Sequence, residues 1–291
     1  MQHAILGAGG VGGLIGASLA HSGEQVTLVV KGQALGRYPN QLHLESAFGK
    51  FDAPVRVGSE VPAADVLWIT VKATQLEPAL ASLPDGRQVR AILPLLNGID
   101  HVSFLRSRYG VERVIPATIS VESERVSPGH IVHRSPFAKL SVASSGRKLL
   151  EGTLDQLQKI GFTCQFVDHE PTLMWTKLVF LAPLALASSA AGKTIGEMRA
   201  DLSWQQRLES CVREVCSVAI AEGAKLDAEA VIATIRGLPG PMRSSMQKDV
   251  EQGRPPELDA IGGPILRAAE RHHLEVPITR KLVEAVERKI R

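Results

Sequence analysis

Residues 3–12 read His3-Ala4-Ile5-Leu6-Gly7-Ala8-Gly9-Gly10-Val11-Gly12, and this stretch decides the fold of the N-terminal half. A short apolar run, a glycine-rich turn and a small-residue stretch to Ala20 predict strand, turn and helix. Gly7, Gly9 and Gly12 stand in G-x-G-x-x-G spacing. In that motif one glycine permits the tight turn, one lets the backbone approach a pyrophosphate, and one lets helix and strand pack closely. The phosphates sit at the helix N-terminus, where free N–H groups and the helix dipole favour anions. Gly7, Ala8, Gly9, Gly10, Val11 and Gly12 are therefore the expected dinucleotide-binding turn. Glycine-rich turns also serve packing alone, so the flanks matter. Gly23 closes the helix, and Gln25-Val26-Thr27-Leu28-Val29-Val30 reads as a second strand.

The end of that second strand selects the dinucleotide. NAD sites usually place Asp or Glu about 20 residues beyond the glycines to bond the ribose 2′-hydroxyl, whereas NADP sites offer a cation to the 2′-phosphate. Here Lys31 stands at that place after Gly12, with Arg37 further on and no acid between them. The reading is NADP(H), against a plain solvated lysine at a strand end.

Composition fits an enzyme acting on small molecules. The 291 residues suffice for two domains with a substantial core. A net charge of +3 with scattered Lys and Arg gives no nucleic-acid footprint. Cys164, Cys211 and Cys216 cannot all pair and form no metal-spaced set, so they read as reduced thiols in a cytoplasmic protein, with no metal expected. Met1 leads directly into the first strand, without the basic and apolar regions of a secretory signal. The longest apolar run extends only from Leu178 to Ala191 and contains Pro183. A membrane span needs about 20 apolar residues, so a buried core helix is expected and a membrane partner is not.

Two halves differ in texture. Up to residue 167, short β-rich runs alternate with helical ones: strands at 65–71 and 91–96 about a crossover helix at 74–83, a hairpin within 41–57, and later strands at 114–121, 130–142 and 162–167. Such alternation behind a glycine-rich turn argues an α/β fold with a Rossmann-type, doubly wound parallel sheet over residues 1–167. From Pro171 the spacing is helical nearly throughout, including 204–222 and 259–272, which predicts an all-helical domain over 168–291.

Three further segments could carry chemistry. Lys72, in Val71-Lys72-Ala73-Thr74-Gln75, and Asn97, in Asn97-Gly98, follow predicted strands. Ligands of open α/β sheets bind outside such strand ends, although a solvated lysine and an Asn-Gly turn explain both equally well. Lys177 stands alone in the apolar stretch 174–180. Burial would lower its pKa and make it a usable proton donor near neutrality; an exposed stripe on the helix is the plain alternative. Ser244-Ser245-Met246-Gln247-Lys248-Asp249 and Arg254-Pro255-Pro256-Glu257-Leu258-Asp259 complete the set. Pro-Pro before Glu257 marks a helix start, where an acid ordinarily serves the dipole.

Together these pieces resemble the ketopantoate reductase (2-dehydropantoate 2-reductase) family along essentially the whole chain. The resemblance runs through GAGGVG, VKATQ at 71–75, LLNG at 95–98, SPGHIVH at 127–133, WTKL at 175–178 and SSMQKDVEQGRPPELDAIGG at 244–263, the last being the most specific. It implies NADPH on the N-terminal domain and reduction of a 2-oxo acid held between the domains, as in pantothenate biosynthesis. Lys177 occupies the family's catalytic lysine position and would protonate the developing alkoxide. Glu257 occupies the position of a catalytic acid that binds the substrate's distal hydroxyl. Ser245 would bind the substrate, at its carboxylate, and Asn97 and Lys72 would stand at the cofactor–substrate junction. The helical domain is the expected substrate and dimerisation domain of a homodimer.

The chain also departs from the family. Two asparagines usually follow the catalytic lysine by four and eight positions, and here Leu181 and Ala185 stand there. A site that bonds a substrate hydroxyl discriminates strongly through those bonds, so the reductase class is firmer than the particular 2-oxo acid. Two alternatives stay open. One is a related NADP-dependent dehydrogenase for another small oxo or hydroxy acid, which would lack the 244–263 block; the other is a non-catalytic NADPH-binding regulator.

Overall fold

The computed structural model describes residues 1–83, 85–86 and 88–290, and the chain divides into two compact units. Unit 1 comprises residues 1–96 and 101–170; unit 2 comprises 97–100 and everything from Pro171 onward.

Unit 1 begins with β1 (Gln2–Leu6), α1 (Gly10–His21) and β2 (Gln25–Val29). A 3-10 turn over Gly32–Arg37 leads to β3 (Gln41–Ser46), β4 (Gly49–Pro54), β5 (Arg56–Gly58) and β6 (Ala64–Ile69). The expected crossover helix at 74–83 is a chain of short pieces instead, with α2 limited to Leu76–Ala79 between two 3-10 turns. Pro78 explains why no helix runs from residue 74, since it lacks the N–H that would bond back to that residue. Then come β7 (Val89–Pro94), α3 (Asp100–Tyr109), β8 (Ala117–Ser120), β9 (Ser123–Ser127), β10 (His130–His133), β11 (Lys139–Ala143), α4 (Arg147–Ile160) and β12 (Thr163–Val167).

Five of these strands form the parallel sheet, in the order β5-β2-β1-β6-β7. The chain builds outward to both sides of β1, so the strand order reverses there, and ligands of such sheets bind at that reversal. The remaining strands do not extend this sheet. They form a mixed sheet β4-β3-β10-β9 and a mixed sheet β12-β11-β8. α1 packs against strands of both the parallel sheet and the first mixed one. A Cβ on Gly13 would meet Ile131 of β10 at 2.2 Å, and Gly16 faces Leu28 of β2 and Leu42 of β3. Residues 12–20 of α1 are accordingly all buried, which requires a helix of small and apolar residues without a polar face.

Unit 2 is helical: α5 (Glu170–Ala191), α6 (Ile195–Ala200), α7 (Leu202–Ala221), α8 (Ala228–Arg236), α9 (Ser245–Glu251), α10 (Leu258–Arg271) and α11 (Pro277–Ile290). α5 is long and apolar enough to cross a membrane by length and composition, but 72% of that stretch is buried inside the protein. Its Leu178, Val179, Ala182 and Leu186 join Val212 and Val215 of α7, Ile261 and Ile265 of α10 and Val286 of α11 in one core.

Candidate functional site

In unit 1 the glycine-rich turn leaves the C-terminal end of β1, next to the strand reversal. Gly7 has φ +106°, a conformation open to glycine, and a Cβ there would lie 2.7 Å from Val71. At Gly12 a Cβ would sit 2.2 Å from the Gly7 carbonyl oxygen, so α1 can lie this close to β1 only with glycine at that position. Gly9, the helix N-cap, is different. Nothing lies within 4 Å of where its Cβ would be, so the backbone presents an open face to an incoming group. No side chain caps α1 and no acid stands in its first turn. Its first N–H groups, at Gly10, Val11 and Gly12, have no acceptor within the helix. Open backbone, free donors and a positive helix end fit a pyrophosphate.

The loop after β2 is tied to this turn. Lys31 stands exposed at its start and Arg37 at its end, and the hydroxyl of Tyr38 donates to the Ala8 carbonyl at 3.0 Å. Arg125 of β9 donates in turn to the Tyr38 hydroxyl, and Ser123 donates to the Gly10 carbonyl at 2.9 Å. Tyr38 and Ser123 are contacts of the turn, and Arg125 a contact of Tyr38, that sequence reasoning missed. β9 is largely exposed and lacks the alternation that marks a strand, so no local signal points to it. Thr70, just beyond β6, donates to the Gly7 carbonyl at 2.7 Å, and exposed Lys72 follows shortly after it.

Unit 2 holds the second group of candidates. Lys177 lies on α5 between buried Trp175 and Leu178. Part of its side chain stays accessible, yet burial around the ammonium pulls its pKa down to about 8, while the nearby Glu257 carboxylate pulls it back up. Glu257 is buried at the N-cap of α10, but it does not serve as a cap. Thr194, Asp201, Asp227 and Ser244 each accept a backbone N–H at the start of their helices; Glu257 accepts none there. Its carboxylate accepts from Asn97 Nδ2 at 2.9 Å instead. Glu257 therefore stands at the helix start without making a cap bond, its carboxylate turned to Asn97.

Asn97 reaches Glu257 because residues 97–100 belong to unit 2. Gly98, with φ +82°, lies so close to α10 that a Cβ would stand 2.1 Å from the Ala260 carbonyl oxygen. Arg267 bonds Asp100 at 2.6 Å and Asp259 at 2.8 Å, joining the two segments that carry Asn97 and Glu257. Asn97, Lys177 and Glu257 are thus brought together. Ser245 is exposed in the first turn of α9, and no hydrogen bond joins it to these three among the described residues. Of the two positions where the family carries asparagine, Leu181 is partly buried and Ala185 is fully enclosed in the core.

Comparison with known proteins follows this division. Residues 3–144 match the family model described as ketopantoate reductase PanE/ApbA, and residues 172–289 match the model of its C-terminal part. A 2-dehydropantoate 2-reductase of Caulobacter vibrioides is 30% identical, covering 96% of this chain and 96% of that protein. The crystal structure of a PanE/ApbA family ketopantoate reductase from Ralstonia eutropha JMP134 superposes with a TM-score of 0.87 at 25% identity, covering 100% of this chain and 98% of the other. A D-mandelate dehydrogenase solved with NADH and anilino(oxo)acetate has the same fold, with a TM-score of 0.86 at 24% identity, covering 100% and 98%.

Proposed function

The chain belongs to the ketopantoate reductase family, and from that premise we propose that it reduces a 2-oxo acid to the 2-hydroxy acid with NADPH. 2-Dehydropantoate, reduced to pantoate for pantothenate biosynthesis, is the first substrate to test. The observation that carries the proposal is the group in unit 2: an enclosed ammonium beside a carboxylate that is held by an amide and spared from capping its helix.

When bound, the reduced nicotinamide supplies the hydride that C2 of the oxo acid takes up. Lys177 gives its Nζ proton to the oxygen that becomes the new hydroxyl, and its charge stabilises that oxygen as it turns anionic. A pKa of about 8 suits this task, because the ammonium is populated at neutral pH and gives up its proton readily. Glu257 keeps Lys177 from discharging too early and orients the Asn97 amide. It also offers a carboxylate to a hydroxyl on the substrate tail. The Ser245 hydroxyl binds the substrate carboxylate.

On unit 1, Gly7, Ala8, Gly9, Gly10, Val11 and Gly12 would hold the pyrophosphate. Exposed Lys31, standing where NAD sites carry an acid, supports the phosphorylated cofactor. Lys72 and Asn97 complete the proposed contacts of the nicotinamide half. Three free cysteines support a cytoplasmic setting. A homodimer through unit 2 is the proposed assembly.

Steady-state rates with NADPH and NADH, measured against ketopantoate, 2-oxoisovalerate and larger branched 2-oxo acids, test the reading. Turnover of at least one 2-oxo acid with a preference for NADPH is expected. Binding of NADPH without turnover of any member would overturn it in favour of a regulator.

A further inference from the structure

Outside the site above, and among the described residues, one group of metal-ligating side chains converges: His43 and Glu45 on β3 and His130 on β10. Each offers one ligand atom, and these atoms all lie within 4.8 Å of one another. The sheet itself sets this placement. His43 and Glu45 alternate with Leu44 along one strand and so share a face. β10 pairs with β3 in parallel, with His130 directly opposite His43. The two imidazole rings meet edge to face, their centroids 5.0 Å apart.

We propose that His43, Glu45 and His130 form a binding site for a divalent first-row transition ion of the zinc type, which staples β3 to β10. The donor set carries the choice of ion. Imidazole nitrogen with carboxylate suits Zn²⁺, Ni²⁺ or Cu²⁺, whereas Mg²⁺ and Ca²⁺ prefer oxygen throughout. Asp52 of β4 prepares the first ligand. A carboxylate only accepts, so His43 Nδ1 carries the hydrogen that it gives to Asp52 Oδ1 at 2.7 Å. The lone pair is thereby left on Nε2, and the carboxylate partner fixes the ring and strengthens it as a ligand. His130 Nε2 donates to Glu45 Oε1 at 2.8 Å; an ion entering there replaces that proton and takes both atoms. Glu45 also accepts through its second oxygen, Oε2, from the Lys50 ammonium. Lys50 is also the competitor. Its ammonium, 2.8 Å from Glu45 Oε2, already neutralises the carboxylate that the ion would use.

Titration calorimetry of the intact, chelator-treated protein with zinc chloride alone tests the proposal. The wild type should bind zinc at one site and melt at a higher temperature when loaded. His43→Gln with His130→Gln should weaken that binding at least tenfold and abolish the rise in Tm. Lys50→Ala should bind zinc several-fold more tightly, because the competing cation is gone. Absence of binding, or equal binding by the wild type and the double variant, overturns the site. If the double variant melts early without zinc, Lys50→Ala decides alone: affinity no tighter than wild type overturns the proposal.

Discussion

The turn between β1 and α1 and the cluster of Lys177, Glu257 and Asn97 meet charge by opposite means. In unit 1 the proposed recognising surface is backbone: N–H groups at a helix start, with open space at Gly9 and close packing at Gly10 and Gly12 that only glycine allows. Backbone N–H groups do not titrate, so no proton is exchanged there. In unit 2 three side chains from separate stretches meet, and one is an ammonium whose pKa burial has moved close to neutrality. On the proposed reading the first arrangement binds, and the second also transfers a proton. Variants that act on one region and spare the other separate these roles.

The largest effect is expected from Lys177→Ala. General acid catalysis is typically worth about 10²–10⁴-fold, so kcat should fall by that order while the dissociation constant for NADPH, read by fluorescence titration, stays within a few fold. Equal loss in both quantities would break the division, because Lys177 would then serve cofactor binding as well. In unit 1 the counterpart is Lys31→Asp. A charge-assisted hydrogen bond is worth about 1.5–3 kcal/mol, so the preference for NADPH over NADH in kcat/KM should shrink by roughly 10- to 100-fold, or invert. An unchanged ratio would place the 2′-phosphate elsewhere, with Arg37 as the next residue to examine.

The pH profile sharpens the contrast further. Lys177 must be protonated to act, so kcat should fall as pH rises through about 8. Glu257 raises the Lys177 pKa, so Glu257→Gln should move that alkaline limb to lower pH and reduce kcat/KM near neutrality. Because Glu257 makes no cap bond, removing its charge from the helix start should cost less than about 1 kcal/mol of stability, read as a small change in Tm. A variant that melts early but keeps its rate and its pH profile would return Glu257 to an ordinary structural role.

The same contrast explains what can be read from sequence. The backbone site is local: strand, turn and helix follow one another without interruption from Gln2 to His21, and the glycine spacing is itself the chemistry. The side-chain site joins positions 97, 177 and 257, which no periodicity connects, and only likeness along the whole chain puts them on one list. Strands are similarly legible where they alternate or are wholly apolar, as in β1, β2 and β6. Which sheet each strand joins is not, because β3 finds its parallel partner in β10, with six strands between them in the chain. β9 escapes because its residues, nearly all exposed, carry no apolar pattern to detect. Residues 41–57 read as a hairpin, and β3 and β4 do pair antiparallel, but in the mixed sheet with β10 and β9 rather than on the parallel one.

The smallest expected effect concerns selectivity and tests how far unit 2 is built for a polar substrate. Leu181 stands one turn beyond Lys177 on α5 and is partly exposed, whereas Ala185, one turn further, is fully enclosed by the core. Ala185→Asn would bury an amide among apolar neighbours and destabilise the helix packing, so Leu181 is the position to change. An apolar wall cannot strongly reject a substrate that merely adds a hydroxyl, which limits discrimination to about a hundredfold. The wild type should therefore turn over both ketopantoate and its deoxy analogue 2-oxoisovalerate, with kcat/KM values within that range. Leu181→Asn adds one neutral hydrogen bond, worth about 0.5–1.5 kcal/mol, so the ratio of ketopantoate to 2-oxoisovalerate should rise by roughly three- to tenfold. A wild-type preference for ketopantoate of several orders of magnitude would defeat the argument. It would mean that Glu257 and Ser245 already supply the hydroxyl's partners, and that the apolar residues after Lys177 serve only the core.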